Sequence, residues 1–173
     1  MSLRYWLGLS DDPGEPAIAG LDEIERTLDG LDAATARHIA CFAYILGRVA
    51  RADHHVAPEE SSAMEQIVAE RADLAPAQAA LVVRIATAQG LQHGGTDDFL
   101  VTREFAQIAT RDQRLALLDC LFALSSADRS IVQLEDNEVR RIASELKLEH
   151  GDFIRARTAY LQHLKVLGRG GAD

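Results

Sequence analysis

The 173 residues are 47% hydrophobic and 26% charged, enough to build one buried core and too apolar for an intrinsically disordered chain. Against 18 Lys and Arg stand 27 Asp and Glu, and the net charge of −9 repels a phosphate backbone, so nucleic acid is not an expected partner. No apolar run reaches the roughly 18 residues of a membrane span, and Met1–Trp6 is followed by Asp11 and Asp12 rather than by an apolar leader. A cytoplasmic protein without direct membrane insertion is expected.

Residues 1–15 read as an irregular arm from which Tyr5, Trp6 and Leu7 can dock on the body. A single helical domain is expected over 16–167, followed by a flexible tail at 168–173, where Gly168, Gly170 and Gly171 cluster. Within the domain the 3.6-residue period begins at Ala17, with Leu21, Ile24 and Leu28 on one face and Gly30 as a stop. Asp32 is placed to cap a second helix running to about Ala52, whose broad apolar stripe predicts a central position. Pro58 opens a third helix, with Glu59 and Glu60 at its positive end. Pro76 opens a fourth, carrying Leu81, Ile85 and Ala88. The glycines at 90, 94 and 95 mark a loop before a fifth helix capped by Thr96. Asp112 is read as the cap of a sixth, a seventh spans about Val132–Lys147, and an eighth carries Phe153, Tyr160 and Leu164. No segment alternates with period two for long enough to make a strand. The prediction is an all-α, compact bundle of about seven to eight helices.

The chain also resembles itself. Displacing it by 75 positions places Asp53 on Asp128, Val56 on Ile131 and Glu60 on Glu135. Leu46 falls on Leu121, Met64 on Val139 and Ile67 on Ile142. Two helix–loop–helix repeats, at about 38–72 and 113–147, therefore share the pattern Ala-Asp-x-x-Φ-x-x-x-Glu, with Φ aliphatic. The Asp follows one helix and accepts turn amides; the Glu lies in the first turn of the next and can reach back as in a capping box.

The two acids of each corner admit two functions. They fasten the turn, or they offer hard oxygen ligands to Ca²⁺ or Mg²⁺. If a pseudo-two-fold axis relates the repeats, Asp53, Glu60, Asp128 and Glu135 converge, and a cation neutralises their repulsion. The spacing is not that of an EF-hand, because Pro58 and Gln133 stand where such a loop needs Gly.

The segment Gly47-Arg-Val-Ala-Arg-Ala-Asp-His-His-Val-Ala-Pro-Glu-Glu60, with its second copy, resembles the TerB-like family associated with bacterial tellurite resistance, over about residues 36–150. The resemblance implies a compact all-α domain of two repeats and weak divalent-cation binding through Asp53, Glu60, Asp128 and Glu135. It also implies protein partners in a stress-response or phage-defence assembly near the membrane. The family usually has Gly after the Asp, where this chain has His54 and Arg129. His54 adopts a left-handed turn less readily, and Arg129 brings a competing cation to the second corner.

Other residues give weaker signals. Cys41 and Cys120 lie in apolar helical patterns outside any C-x-x-C pair and read as buried reduced thiols. His54-His55 reads as a solvated pair, since adjacent loop residues chelate one ion poorly. Asp119 interrupts the sixth helix where the first repeat has Tyr44, and either faces water or pairs with Arg48. Arg103, Arg111 and Arg114 read as a solvated helix junction around Asp112. Ser61-Ser62 and Ser125-Ser126 lack a nucleophile-elbow context, and Gly94-Gly95 lacks a phosphate-loop pattern. With no nucleophile–base pair or cofactor motif, a non-enzymatic acidic module is expected, the alternative being a ligand-free scaffolding domain.

Overall fold

A computed structural model describes residues 21–50, 58–88, 96–125 and 133–169. Among these residues there are eight helices and no strand: α1 (Leu21–Asp29), α2 (Ala33–Ala50), α3 (Pro58–Ala72), α4 (Pro76–Ala88), α5 (Thr96–Ile108), α6 (Arg111–Ser125), α7 (Gln133–Glu145) and α8 (His150–Arg169). The all-α bundle read from the periodicity is the observed architecture. The arm at 1–15, with Tyr5, Trp6 and Leu7, lies outside the described residues, as do 170–173 of the expected tail. Helix α8 continues to Arg169.

Helix starts follow local chemistry. Asp32 caps α2, its Oδ1 accepting from the amides of Ala34 at 3.1 Å and Thr35 at 3.0 Å. Those bonds with Thr35 hold the Asp32 carboxyl below the usual carboxylate range. Pro76 is the first residue of α4, where a missing N–H costs nothing, and Gln78 reaches back to accept from the Ala75 amide at 3.2 Å. Helix α6 starts differently from the expectation. Asp112 is its second residue, and the cap is Thr110. Thr110 Oγ1 accepts from the Gln113 amide at 3.2 Å, and Gln113 Oε1 accepts from the Thr110 amide at 2.8 Å, a reciprocal capping box. Asp112 keeps only the favourable first-turn position of an acid.

Two helices end on residues other than glycine in the left-handed region: Asp73 (φ 51°) after α3 and Lys147 (φ 56°) after α7. At the second, the Leu148 amide donates to Ala143 O and the Lys147 amide to Ser144 O, each at 3.0 Å. That pair of bonds is a Schellman motif, with Leu148 folded back on the core as its apolar partner.

Helix α2 is the axis of the bundle and packs on α4, α5, α6 and α7. From Ile39 to Val49 every residue is buried, so it has no solvent face over three turns. Helices α3 and α8 both pack on α6, and α4 closes against both α2 and α3. The core runs from Phe42 and Phe105, ring centroids 6.0 Å apart edge-to-face, to Phe122, whose ring lies 5.4 Å from Phe153 and stacks on Tyr160. Of the matched positions, Leu46 and Leu121, and Met64 and Val139, are buried in both halves, whereas Ile67 is half-buried against a buried Ile142.

The α2–α4 contact depends on Gly47. A Cβ there would sit 2.9 Å from the carbonyl oxygen of Ala86, a backbone atom that cannot rotate away. Gly47→Ala is expected to force the two helices apart at a cost of about 1–3 kcal/mol, the range for overpacking a close contact. A lower denaturation midpoint with unchanged denaturant slope is the expected readout.

Candidate functional site: a buried arginine between the two corners

Arg48 lies in the last turn of α2 and is 5% exposed. A guanidinium at that depth requires carboxylates and filled donor positions, because desolvating an unpaired cation costs several kcal/mol. Helix α7 supplies both acids. Glu138 Oε1 accepts from Arg48 Nη2 at 2.7 Å and from Nε at 3.2 Å, and Glu145 Oε2 accepts from Nη1 at 2.8 Å. Helix α5 supplies the rest. Arg48 Nη1 donates to the Asp98 carbonyl at 3.1 Å and to the Thr102 hydroxyl, and the Asp98 carboxylate lies 3.9 Å from Nε. The Tyr44 hydroxyl, one turn earlier on α2, donates to Asp98 Oδ1 at 3.0 Å. Arg141 joins Glu138 at 3.0 Å and Glu145 at 3.7 Å from the exposed side. Burial disfavours the Arg48 charge, but the hydrogen bonds to Glu145 and Glu138 outweigh it and hold its pKa above the ordinary arginine value.

The chain order explains why three elements meet here. Arg48 comes just before the corner at 51–57, α7 just after the corner at 126–132, and Asp98 just after the connection at 89–95. The helix end entering the first corner is thus tied to the helix leaving the second. Of the four acids expected to hold a cation, Asp53 and Asp128 lie outside the described residues, as does the His54-His55 pair. Glu60 and Glu135 fall in the first turns of α3 and α7, with their carboxylates outside the description. Among the described residues no group of three His, Cys, Asp or Glu side chains could hold a metal ion. Asp98, Glu138 and Glu145 do converge, but around a guanidinium, which supplies the positive charge a cation would bring.

Several other polar readings change. Asp119 is not a partner of Arg48; it lies half-buried on α6, where burial pushes its carboxyl pKa up and the charge of Arg71 opposes the rise. Arg111 is exposed as expected and Arg114 half-buried, and both also tie helices together. Arg111 Nη2 forks onto the Asp152 carboxylate at 2.8 and 3.0 Å, and Arg114 donates to the Leu146 carbonyl at 2.9 Å, closing the end of α7. Asp152 is 2% exposed, accepts from the Glu149 amide at 3.1 Å and also bonds Arg155. Burial acts against its charge, but the Glu149 amide and the two arginines prevail and hold its pKa below the ordinary value. Cys41 and Cys120 are buried free thiols as expected, with pKa values pushed up to about 12 by desolvation.

A family model described as "Tellurite resistance protein TerB" matches residues 38–158, from the middle of α2 into α8. The chain belongs to the TerB family. No curated protein and no solved structure matches it. Within the TerB match lie Gly47, which sets the α2–α4 distance, and the whole Arg48 cluster. The sequence pattern carried one sign of that cluster, a lone cation in the apolar run Ile39–Val49. Its partners 50 and 90 residues away are not marked by any local spacing.

Two predictions follow from these clusters. Arg48→Met leaves buried carboxylates unpaired and is expected to cost about 3–5 kcal/mol in urea unfolding. Adding Glu138→Gln and Glu145→Gln removes the orphaned charges and should return part of that loss. For Asp152, the folded-state pKa lies below 3.8, so its contribution to stability is complete above that value and disappears as pH falls through the lowered one. Asp152→Asn should therefore reduce stability at neutral pH and flatten the loss below pH 3.8 in acid titrations followed by circular dichroism.

Proposed function

We propose that this TerB-family chain is a non-catalytic module of a bacterial tellurite-resistance or stress response, working in the cytoplasm by binding and not by chemistry. In this reading Asp53, Glu60, Asp128 and Glu135 bind Ca²⁺ or Mg²⁺ weakly, and the acidic surface meets protein partners of a stress-response assembly. The observation that carries the reading is the Arg48–Glu138 ion pair at 2.7 Å, which joins the helix ends flanking the two corners. Helix ends tied to one another supply fixed flanks to the expected ligand residues, which lowers the ordering entropy that binding pays. The net charge of −9 supports cation approach.

A second reading has its own support. Glu138 and Glu145 are already paired by Arg48 and Arg141, which suits a scaffolding domain whose corner acids only fasten turns. Calcium separates the two. With few ligands and Arg129 competing, the expected dissociation constant is on the order of 10⁻⁴–10⁻³ M. At a hundredfold excess the fold should gain about 2.7 kcal/mol, seen as a rise in Tm that EDTA reverses. Asp53→Asn with Glu60→Gln should abolish the rise. Identical responses of wild type and variant to calcium and EDTA would leave the scaffolding reading.

A further inference from the structure

The Arg48 cluster touches three helices, each at or near a described end that borders an undescribed connection. Arg48 is two residues from the end of α2, Asp98 is in the first turn of α5, and Glu138 is in the second turn of α7. Elsewhere α2 meets α7 only lightly compared with its packing on α4 and α5, so the ion pairs are the main tie between them. The tie is stiff. The guanidinium is planar, both nitrogens facing Glu138 are engaged, and the third is shared by Glu145, Thr102 and the Asp98 carbonyl. Glu138 and Glu145 both hold the guanidinium, so the buried charge loses its carboxylate partners only when α7 moves as a whole.

We infer that the Arg48–Glu138–Glu145 joint couples three helix ends, so that loosening the start of α7 loosens the end of α2 and the start of α5 as one cooperative unit. The coupling is a property of the chain and needs no bound cation, so it stands or falls separately from the proposed function. Its mechanism is local. Acids in the first turn of α7 oppose the helix dipole, and their loss frays that turn; the fraying reaches Glu138 within one further turn and is passed to Arg48 across a 2.7 Å contact. Glu145, at the far end of α7, keeps a second hold on Arg48 at 2.8 Å. The α2 end therefore responds to α7 as a whole rather than to a single rotamer.

The experiment is native-state hydrogen exchange on the full chain in EDTA, read at amides 46–50, 98–102 and 136–145. Glu135→Gln with Asp136→Asn removes the acids from the first turn of α7. In the wild-type background this pair is expected to speed exchange in all three segments by a common factor of about fivefold or more, the lower bound of ordinary site-to-site coupling. In a Glu138→Gln, Glu145→Gln background, which keeps shape while removing both charges that hold Arg48, the speeding should be confined to 136–145. Arg48→Lys, which keeps the charge but loses the fork, should confine it likewise and guards against misfolding of a single variant. Exchange that stays local in the wild-type background overturns the inference. So does a common speeding that survives in either the Glu138→Gln, Glu145→Gln or the Arg48→Lys background, because the coupling would then run through the core and not through the joint.

Discussion

One buried positive charge constrains the rest of this fold. Arg48 sits where an aliphatic residue would be the cheaper choice, at the end of a helix that has no solvent face for three turns. Having placed a guanidinium there, the chain must bring acids to it, and it does so from helices 50 and 90 residues further on. Hydrophobic burial fixes that these helices pack; it does not fix their register. A methylene shift along α5 or α7 would cost little in apolar area and much in unpaired charge, so the ion cluster selects one alignment among several of similar burial. Gly47, the neighbouring residue, acts in the same way on the opposite side of α2, where only a missing Cβ lets the α4 backbone approach.

The elements themselves were legible because their signals are local. Asp32 and Pro76 mark helix starts through backbone chemistry that involves two or three neighbours, and the 3.6-residue stripes identify which residues turn inward. The broad stripe of α2 correctly implied its central place. Where two local signals compete, the sequence alone does not rank them. Thr110 and Asp112 are both good caps, and what decides is Gln113, three residues after Thr110, which completes the reciprocal pair. The turns after α3 and α7 were legible as breaks but not as left-handed residues, since neither Asp73 nor Lys147 is glycine.

The polar interior was much less legible, and the reason is physical. A salt bridge between distant helices has no periodicity, and its partners are common surface residues until the fold buries them. Of the two readings of Asp119, pairing with Arg48 is not the observed one, because the halves match in apolar positions and not in charged ones. The repeat places Tyr44 opposite Asp119 and Arg48 opposite Ala123, so the first half carries a cation and a hydroxyl where the second carries an acid and a methyl. Aliphatic positions match across the halves because burial tolerates any residue of similar volume; charged positions do not, because each has to satisfy a particular partner. Arg111 and Arg114 taught the same lesson from the surface: they looked merely solvated beside Asp112, but Asp152 and the end of α7 were within reach of their long side chains.

The two thiols carry a consequence of a different kind. Cys41 and Cys120 are the whole cysteine complement of the chain, and both are buried with pKa values near 12. At neutral pH such sulfurs are almost never thiolates, and the thiolate is the species that oxidants, electrophiles and soft metals attack. The chain thus keeps its cysteine sulfur out of thiol redox chemistry, and modification at either position requires the core around α2 or α6 to open first.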